Sequence, residues 1–268
     1  MSRIPAVANM FYPGNPDQLR KELSAFITPV SSPRKVLAAI CPHAGYVYSG
    51  KVAGAVFSQI HVPSTAIILG PNHRGLGAPV ALQSAGSWEM PLGTVSVHEE
   101  LAGKLLVALG DQAQDDPQAH AMEHSLEVQV PFLQMIQPDL TIVPVSLSHI
   151  TYNTCEAVGR VMGQTIQEWP EPVLLLASTD MSHYVSAETA KSKDQLAIDK
   201  ILALDPEGLF RTVAEHRISM CGVIPTTITL VAAKVLGASK AELVQYATSG
   251  DVTGDFSQVV GYAGLIVY

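Results

Sequence analysis

Val36-Leu37-Ala38-Ala39-Ile40-Cys41-Pro42-His43-Ala44-Gly45 decides the fold class: six apolar residues in a row, then proline, histidine and glycine. A short uncharged run without polar alternate positions, bounded by turn residues, reads as a strand buried on both faces. Thr65–Leu69, Thr141–Leu147, Val173–Ala177 and the closing run Val259–Tyr268 have the same character. Helical spacing of apolar residues falls between them, at 17–27, 51–60, 99–109, 123–136, 153–168, 187–203, 206–216 and 226–236. Strand and helix in alternation predict an α/β protein, a three-layer sandwich with a mainly parallel central sheet and helices on both faces. The segment from Val80 to His98 reads as an antiparallel hairpin or excursion. No stretch reads as a linker, so residues 1–268 are expected to form a single domain.

Composition narrows the class further. Of 268 residues, 47% are hydrophobic and 15% charged, against about 25% charged in an average domain. Mean hydropathy is +0.24. Disorder and a bundle of charged-faced helices are both excluded. Sixteen basic and 24 acidic residues give a net charge of −8, and no basic cluster exceeds Ser32-Pro-Arg-Lys35, so no nucleic-acid footprint is present. No apolar stretch reaches the roughly 18–20 residues of a membrane span and the first residues carry no secretory core, so a cytoplasmic location with no membrane partner is expected. The three cysteines, Cys41, Cys155 and Cys221, have no Cys-x-x-Cys spacing, which speaks against both a disulfide framework and a zinc ribbon.

Ligands of a parallel sheet bind beyond the carboxyl ends of its strands. Three apolar runs are followed there by histidine: Pro42-His43, Gly70-Pro-Asn-His73 and Ser178-Thr-Asp180-Met-Ser-His183. One such histidine is usually only a loop residue, whereas three suggest convergence on one site. Two imidazoles with an oxygen or sulfur donor suit non-haem iron, zinc or copper. His43 and His73 are candidate imidazoles, and Asp180, Glu127 or a cysteine is the candidate third donor. Cys221 precedes a helix that starts near Pro225, where the positive helix end is expected to lower its pKa. Cys41 and Cys155 read as packing residues. His124 and Glu127 are spaced to share a helix face, either as a pair that orients a ligand or as surface groups. His120 falls at the end of a polar run and reads as solvated. Gly45-Tyr-Val-Tyr-Ser-Gly50-Lys51 has phosphate-loop spacing, but Val52 stands where a magnesium-binding hydroxyl belongs. The segment Tyr246–Asp255 reads as a polar loop, with Asp251 and Asp255 making local turns.

Taken together, Pro42-His43-Ala44-Gly45-Tyr46, Gly70-Pro71-Asn72-His73, Glu123-His124-Ser125-Leu126-Glu127, Ser178-Thr179-Asp180 with His183, Cys221-Gly222, and Ser249-Gly250-Asp251 ahead of Gly261-Tyr262-Ala263 resemble the Memo family, whose microbial members are called AmmeMemoRadiSam system protein B. The resemblance covers nearly the whole chain in order. Only the lead Ala8-Asn9-Met10-Phe11-Tyr12-Pro13 departs from the family's Gly-Ser-Trp-Tyr-Pro-like start. It implies a domain similar to class III extradiol dioxygenase catalytic subunits, with His43, His73 and Cys221 as metal ligands. His183 would be the general acid/base and Asp180 would orient it or add a ligand. His124 and Glu127 would belong to the same pocket. The expected cofactor is iron (Fe2+), with copper or zinc as alternatives, and the expected activity is oxidoreduction of a small-molecule substrate. A thiolate in place of a carboxylate ligand argues against simple inheritance of ring cleavage. A non-catalytic scaffold with a vestigial metal pocket and a Zn-dependent hydrolase are the competing readings. The microbial name implies a radical-SAM protein and an Ammecr-type domain protein as partners.

Overall fold

The computed structural model describes residues 2–268. In chain order the elements are β1 (Ser2–Arg3), α1 (Pro16–Phe26), β2 (Ala38–Cys41), α2 (Tyr46–Gln59), β3 (Thr65–Pro71), β4 (Val80–Leu82), β5 (Ser87–Trp88), β6 (Val95–Val97) and α3 (Glu99–Leu109). They continue as β7 (Gln114–Asp115), α4 (Gln118–Ala121), α5 (Val130–Ile136), β8 (Thr141–Leu147), α6 (Tyr152–Gln167), β9 (Val173–Ser178) and β10 (His183–Val185). The last are α7 (Ala187–Leu202), α8 (Pro206–Glu215), α9 (Val223–Val235), β11 (Ala241–Thr248), α10 (Gly250–Thr253) and β12 (Val259–Val267). Among the described residues no helix is long and apolar enough to cross a membrane.

One sheet organises the chain, with the central order β6-β8-β3-β9-β2-β12. β6, β8, β3, β9 and β2 run parallel, and β12 closes antiparallel on β2. Successive side chains point to opposite faces, so each apolar run serves two cores. Ile40, Ile67, Leu69, Val143 and Leu175 pack under α3 and α6–α9. Ala39, Cys41, Ile68, Ile142 and Leu176 pack under α1, α2 and α5. This is the three-layer sandwich, and it explains why these strands carry no polar alternate positions. The layers approach closely at α6 and α9, where a Cβ on Gly159 would lie 2.8 Å from the Ile228 carbonyl oxygen.

Several expectations need correction. The helix expected at 51–60 already starts at Tyr46 and runs to Gln59, so the phosphate-loop-like spacing, which Val52 argued against, lies on α2 and forms no anion nest, as expected. The expected helix 123–136 is broken: residues 127–129 form a 3-10 turn before α5. The start of the polar loop expected at Tyr246 is the end of β11, which pairs antiparallel with β12. β11 escapes a search for apolar runs because it is an edge strand, paired with β12 alone and half-buried along most of its length, and mixes Glu242 and Gln245 with its apolar residues. Between Val80 and His98, β5 and β6 do form an antiparallel hairpin, and β4 pairs with β8 instead.

Candidate metal centre

β3, β9 and β2 are neighbours in the sheet, so the turns that leave their carboxyl ends are neighbours too. That topology brings together His43 after β2, His73 after β3, and Asp180 and His183 after β9. Cys221 joins them from the turn that enters α9. One ligand atom each from His43, His73 and Cys221 lies within 4.8 Å of the others. The rings of His43 and His73 meet edge-on with centroids 5.2 Å apart. The site opens into a cavity of about 670 Å³.

The hydrogen bonds determine which ring nitrogen each histidine offers. Ser178 Oγ donates its only proton to the Ser125 carbonyl at 2.6 Å, so it accepts from His43 Nδ1 at 3.0 Å. It also accepts from Gln129 Nε2, an amide oriented by its second bond to the Pro42 carbonyl. His43 therefore carries its proton on Nδ1 and leaves Nε2 free. Burial first, then the charges of His73, His124 and His183, hold its pKa well below the usual imidazole value. His73 donates from Nδ1 to Glu123 Oε1 at 2.9 Å, and its backbone N–H donates to the other oxygen at 2.6 Å. Burial pushes the Glu123 carboxyl up, but hydrogen bonds and charge from His73, the Ser125 N–H and His124 outweigh it, leaving a pKa of about 2. Glu123 is thus an anion that sets the His73 tautomer, as carboxylates do behind metal-bound imidazoles.

Cys221 faces this pair. Its Sγ lies 3.3 Å from His43 Nε2 and receives the Asp180 backbone N–H at 3.2 Å. The expected lowering of its pKa is not found. Burial around the thiol, and then the Asp180 charge, push it up. Desolvation outweighs the lowering expected from the helix end. The protonated thiol donates to His43 Nε2, two donor atoms aimed at one point. Cys41 and Cys155 are fully buried in the two cores, as packing residues should be.

The remaining candidates divide. Asp180 accepts the His43 backbone N–H at 2.8 Å. Burial raises its pKa to about 6, against backbone hydrogen bonds from His43 and Ala44 and the charge of His183. His183 is oriented by Ser219: Nδ1 donates to the Ser219 carbonyl at 2.9 Å, leaving Nε2 for the cavity. The expected orienting role of Asp180 toward His183 thus falls to a carbonyl that spacing alone does not reveal. His124 lines the cavity, stacked on His73 with centroids 4.6 Å apart. Burial first lowers its pKa to about 4.

Glu127 is the clear departure from expectation. It lies outside the cavity, fully buried, and pairs with Arg3 at 2.7 Å. It also accepts from the backbone of Ala6 and Val7 and from the Tyr12 hydroxyl. Residues 123–126 are not helical, so His124 and Glu127 share no helix face, and Glu123 takes the orienting role instead. His120 is likewise buried rather than solvated. Asp251 and Asp255 do make local turns, to Thr248 and Ser257 respectively, while Ser249, Thr253 and Asp255 also line the cavity mouth.

Similarity to known proteins follows the same motifs. A family model described as Memo-like protein matches residues 3–266. A MEMO1 family protein of Methanopyrus kandleri is 43% identical over 280 residues, covering 99% of each chain. One of Aquifex aeolicus is 43% identical over 267 residues, covering 98% of each. One of Methanothermobacter thermautotrophicus is 40% identical over 277 residues, covering 99% of this chain and all of its own. With a family match from end to end and relatives of this identity, the chain belongs to the Memo family.

Proposed function

We propose that this protein is a metal-dependent oxidoreductase of a small organic substrate, with His43 Nε2, His73 Nε2 and Cys221 Sγ holding iron or copper. The observation that carries the reading is the hydrogen-bonded tautomer of both imidazoles: Ser178 and Glu123 take the Nδ1 protons and turn both Nε2 atoms, with Cys221 Sγ, to one point. A surface cluster of histidines needs no such arrangement. The donor set is two borderline nitrogens and a soft sulfur, which suits iron, copper or zinc and not magnesium or calcium. A bound redox metal would supply electron transfer and a position for O2 or substrate.

The protein's own groups have separate tasks. His183, held through Nδ1, presents Nε2 to the cavity as the group that gives or takes a proton. Asp180, with a pKa near 6, fixes the His43 backbone and supplies negative charge beneath the ligands. His124 and Phe11, with ring centroids 4.8 Å apart, wall off one side. His183 favours an enzyme over a scaffold, because a purely structural metal site has no use for it.

Nitric oxide, an analogue of O2, tests the reading. Protein loaded anaerobically with Fe2+ is expected to give an iron–nitrosyl electron paramagnetic resonance signal that is lost in Cys221→Ser combined with His43→Ala. Absence of the signal from iron-loaded wild type, with activity supported by zinc alone, would favour a hydrolase.

A further inference from the structure

The outer half of the cavity has a chemistry of its own. Tyr262 lies on β12 and is 2% exposed, yet it lines the cavity. Among the described residues no group hydrogen-bonds its hydroxyl, although Asp180, Tyr48 and Tyr184 are its electrostatic neighbours. The ring is buried but the hydroxyl itself is open to the cavity, so its proton is free for an acceptor bound there.

Tyr184 gives a second, independent observation. It has φ +57°, a left-handed conformation that costs an ordinary side chain energy and clusters at functional sites. The strain comes with a register irregularity between His183 and Val185 where β10 meets β12. The result is a 74% exposed aromatic ring that lines the cavity beside His183. Such exposure of a tyrosine gains nothing from burial in the protein itself.

Charge completes the description. No lysine or arginine lines the cavity, whereas Asp180 and Asp255 do. Hydrogen bonds from Ser257 hold the Asp255 carboxyl below the usual range, keeping it anionic at the mouth. Arg74 neighbours His124, but its Nε donates to the Met122 carbonyl and it does not line the cavity.

We infer that the outer cavity binds a planar organic molecule without an anionic group, whose hydrogen-bond acceptor takes the Tyr262 Oη–H and whose ring lies against Tyr184. The inference rests on the reading of this cavity as a substrate site, but its binding groups act without a metal. A carboxylate or phosphate would find no lysine or arginine in this lining and would face Asp180 and Asp255.

Saturation-transfer NMR titration of metal-free protein tests it with two probes of one ring system, 2-naphthylmethanol and 2-naphthoate. The carboxylate is the stronger acceptor, so what disfavours it is the loss of its hydration and the acidic field of the cavity. The alcohol is expected to bind saturably and at least tenfold more tightly than the carboxylate. Tyr262→Phe keeps the buried ring and should weaken the alcohol roughly 2- to 10-fold at an unchanged unfolding midpoint. Tyr184→Gly removes the strain, so the midpoint should hold or rise while affinity falls. Equal or tighter binding of 2-naphthoate, no saturable binding of the alcohol, or affinity unmoved by both substitutions would each overturn the inference. Because no metal is present, these outcomes are independent of whether His43, His73 and Cys221 bind one.

Discussion

A histidine offers a ligand or substrate whichever ring nitrogen its other hydrogen bond leaves free. In His43, His73 and His183 the Nδ1 proton is taken by Ser178, Glu123 and the Ser219 carbonyl. The identity of the three histidines was legible as residues that follow apolar runs. The groups that orient them were not, because a serine at a strand end or a backbone carbonyl carries no sequence mark, and spacing alone does not separate Glu123 from Glu127. His120 shows the same principle turned to stability. Its Nε2–H donates to the Ala81 carbonyl at 3.2 Å, and its buried Nδ1 has no partner. Burial first, and then the Arg3 charge, lower its pKa to about 4. As pH falls below 6.5 the unfolded chain takes up a proton that the folded state refuses, so stability is lost between pH 6.5 and about 4. The slope from this residue is about 1.4 kcal/mol per pH unit. Urea unfolding at several pH values in this window should give a shallower slope for His120→Leu by about one proton, and an identical slope would contradict the assignment.

At the scale of elements, the parallel strands were readable because burial on both faces removes polar alternation. The edge strand β11 and the 3-10 turn at 127–129 were not, since a half-exposed strand looks like a loop and a local change of helical pitch leaves apolar spacing unchanged. Packing between elements adds a constraint that composition hides. On α6, a Cβ on Gly159 would meet Val231 Cβ at 2.7 Å and the Ile228 carbonyl oxygen at 2.8 Å, whereas one on Gly103 of α3 would meet nothing within 4 Å. The same substitution should therefore have opposite effects. Gly159→Ala is expected to destabilise by about 1–3 kcal/mol through overpacking, and Gly103→Ala to stabilise by up to about 1 kcal/mol through helix propensity. Chemical denaturation of the two variants decides it; a stabilised Gly159→Ala would mean that α6 and α9 are free to separate.

Across the whole molecule, the amino-terminal arm is fastened to the site by a buried network. The Arg3 guanidinium lies 4.2 Å from the Trp88 ring centroid, donates to the carbonyls of His120 and Glu123, and pairs with Glu127. Glu127 in turn holds Ala6, Val7 and Tyr12, which leads into Phe11 at the cavity wall. The Glu123 carbonyl is thus anchored by Arg3 while its carboxylate orients His73. Leaving one member of such a buried pair alone is strongly unfavourable: Arg3→Met should cost about 3–5 kcal/mol, and adding Glu127→Gln should recover part of it. A loss under about 1 kcal/mol for the single variant would show the pair to be no more than a surface contact. None of this long-range connection is visible in motifs, because it joins residues more than a hundred positions apart.

The central claim, that the exits of β2 and β3 and the entry of α9 make one metal centre, is tested most directly by metal analysis of protein purified without oxygen. About one iron or copper per chain is expected for the wild type, and loss of that metal is expected for Cys221→Ser combined with His43→Ala. The same stoichiometry in the double variant as in the wild type would contradict the claim.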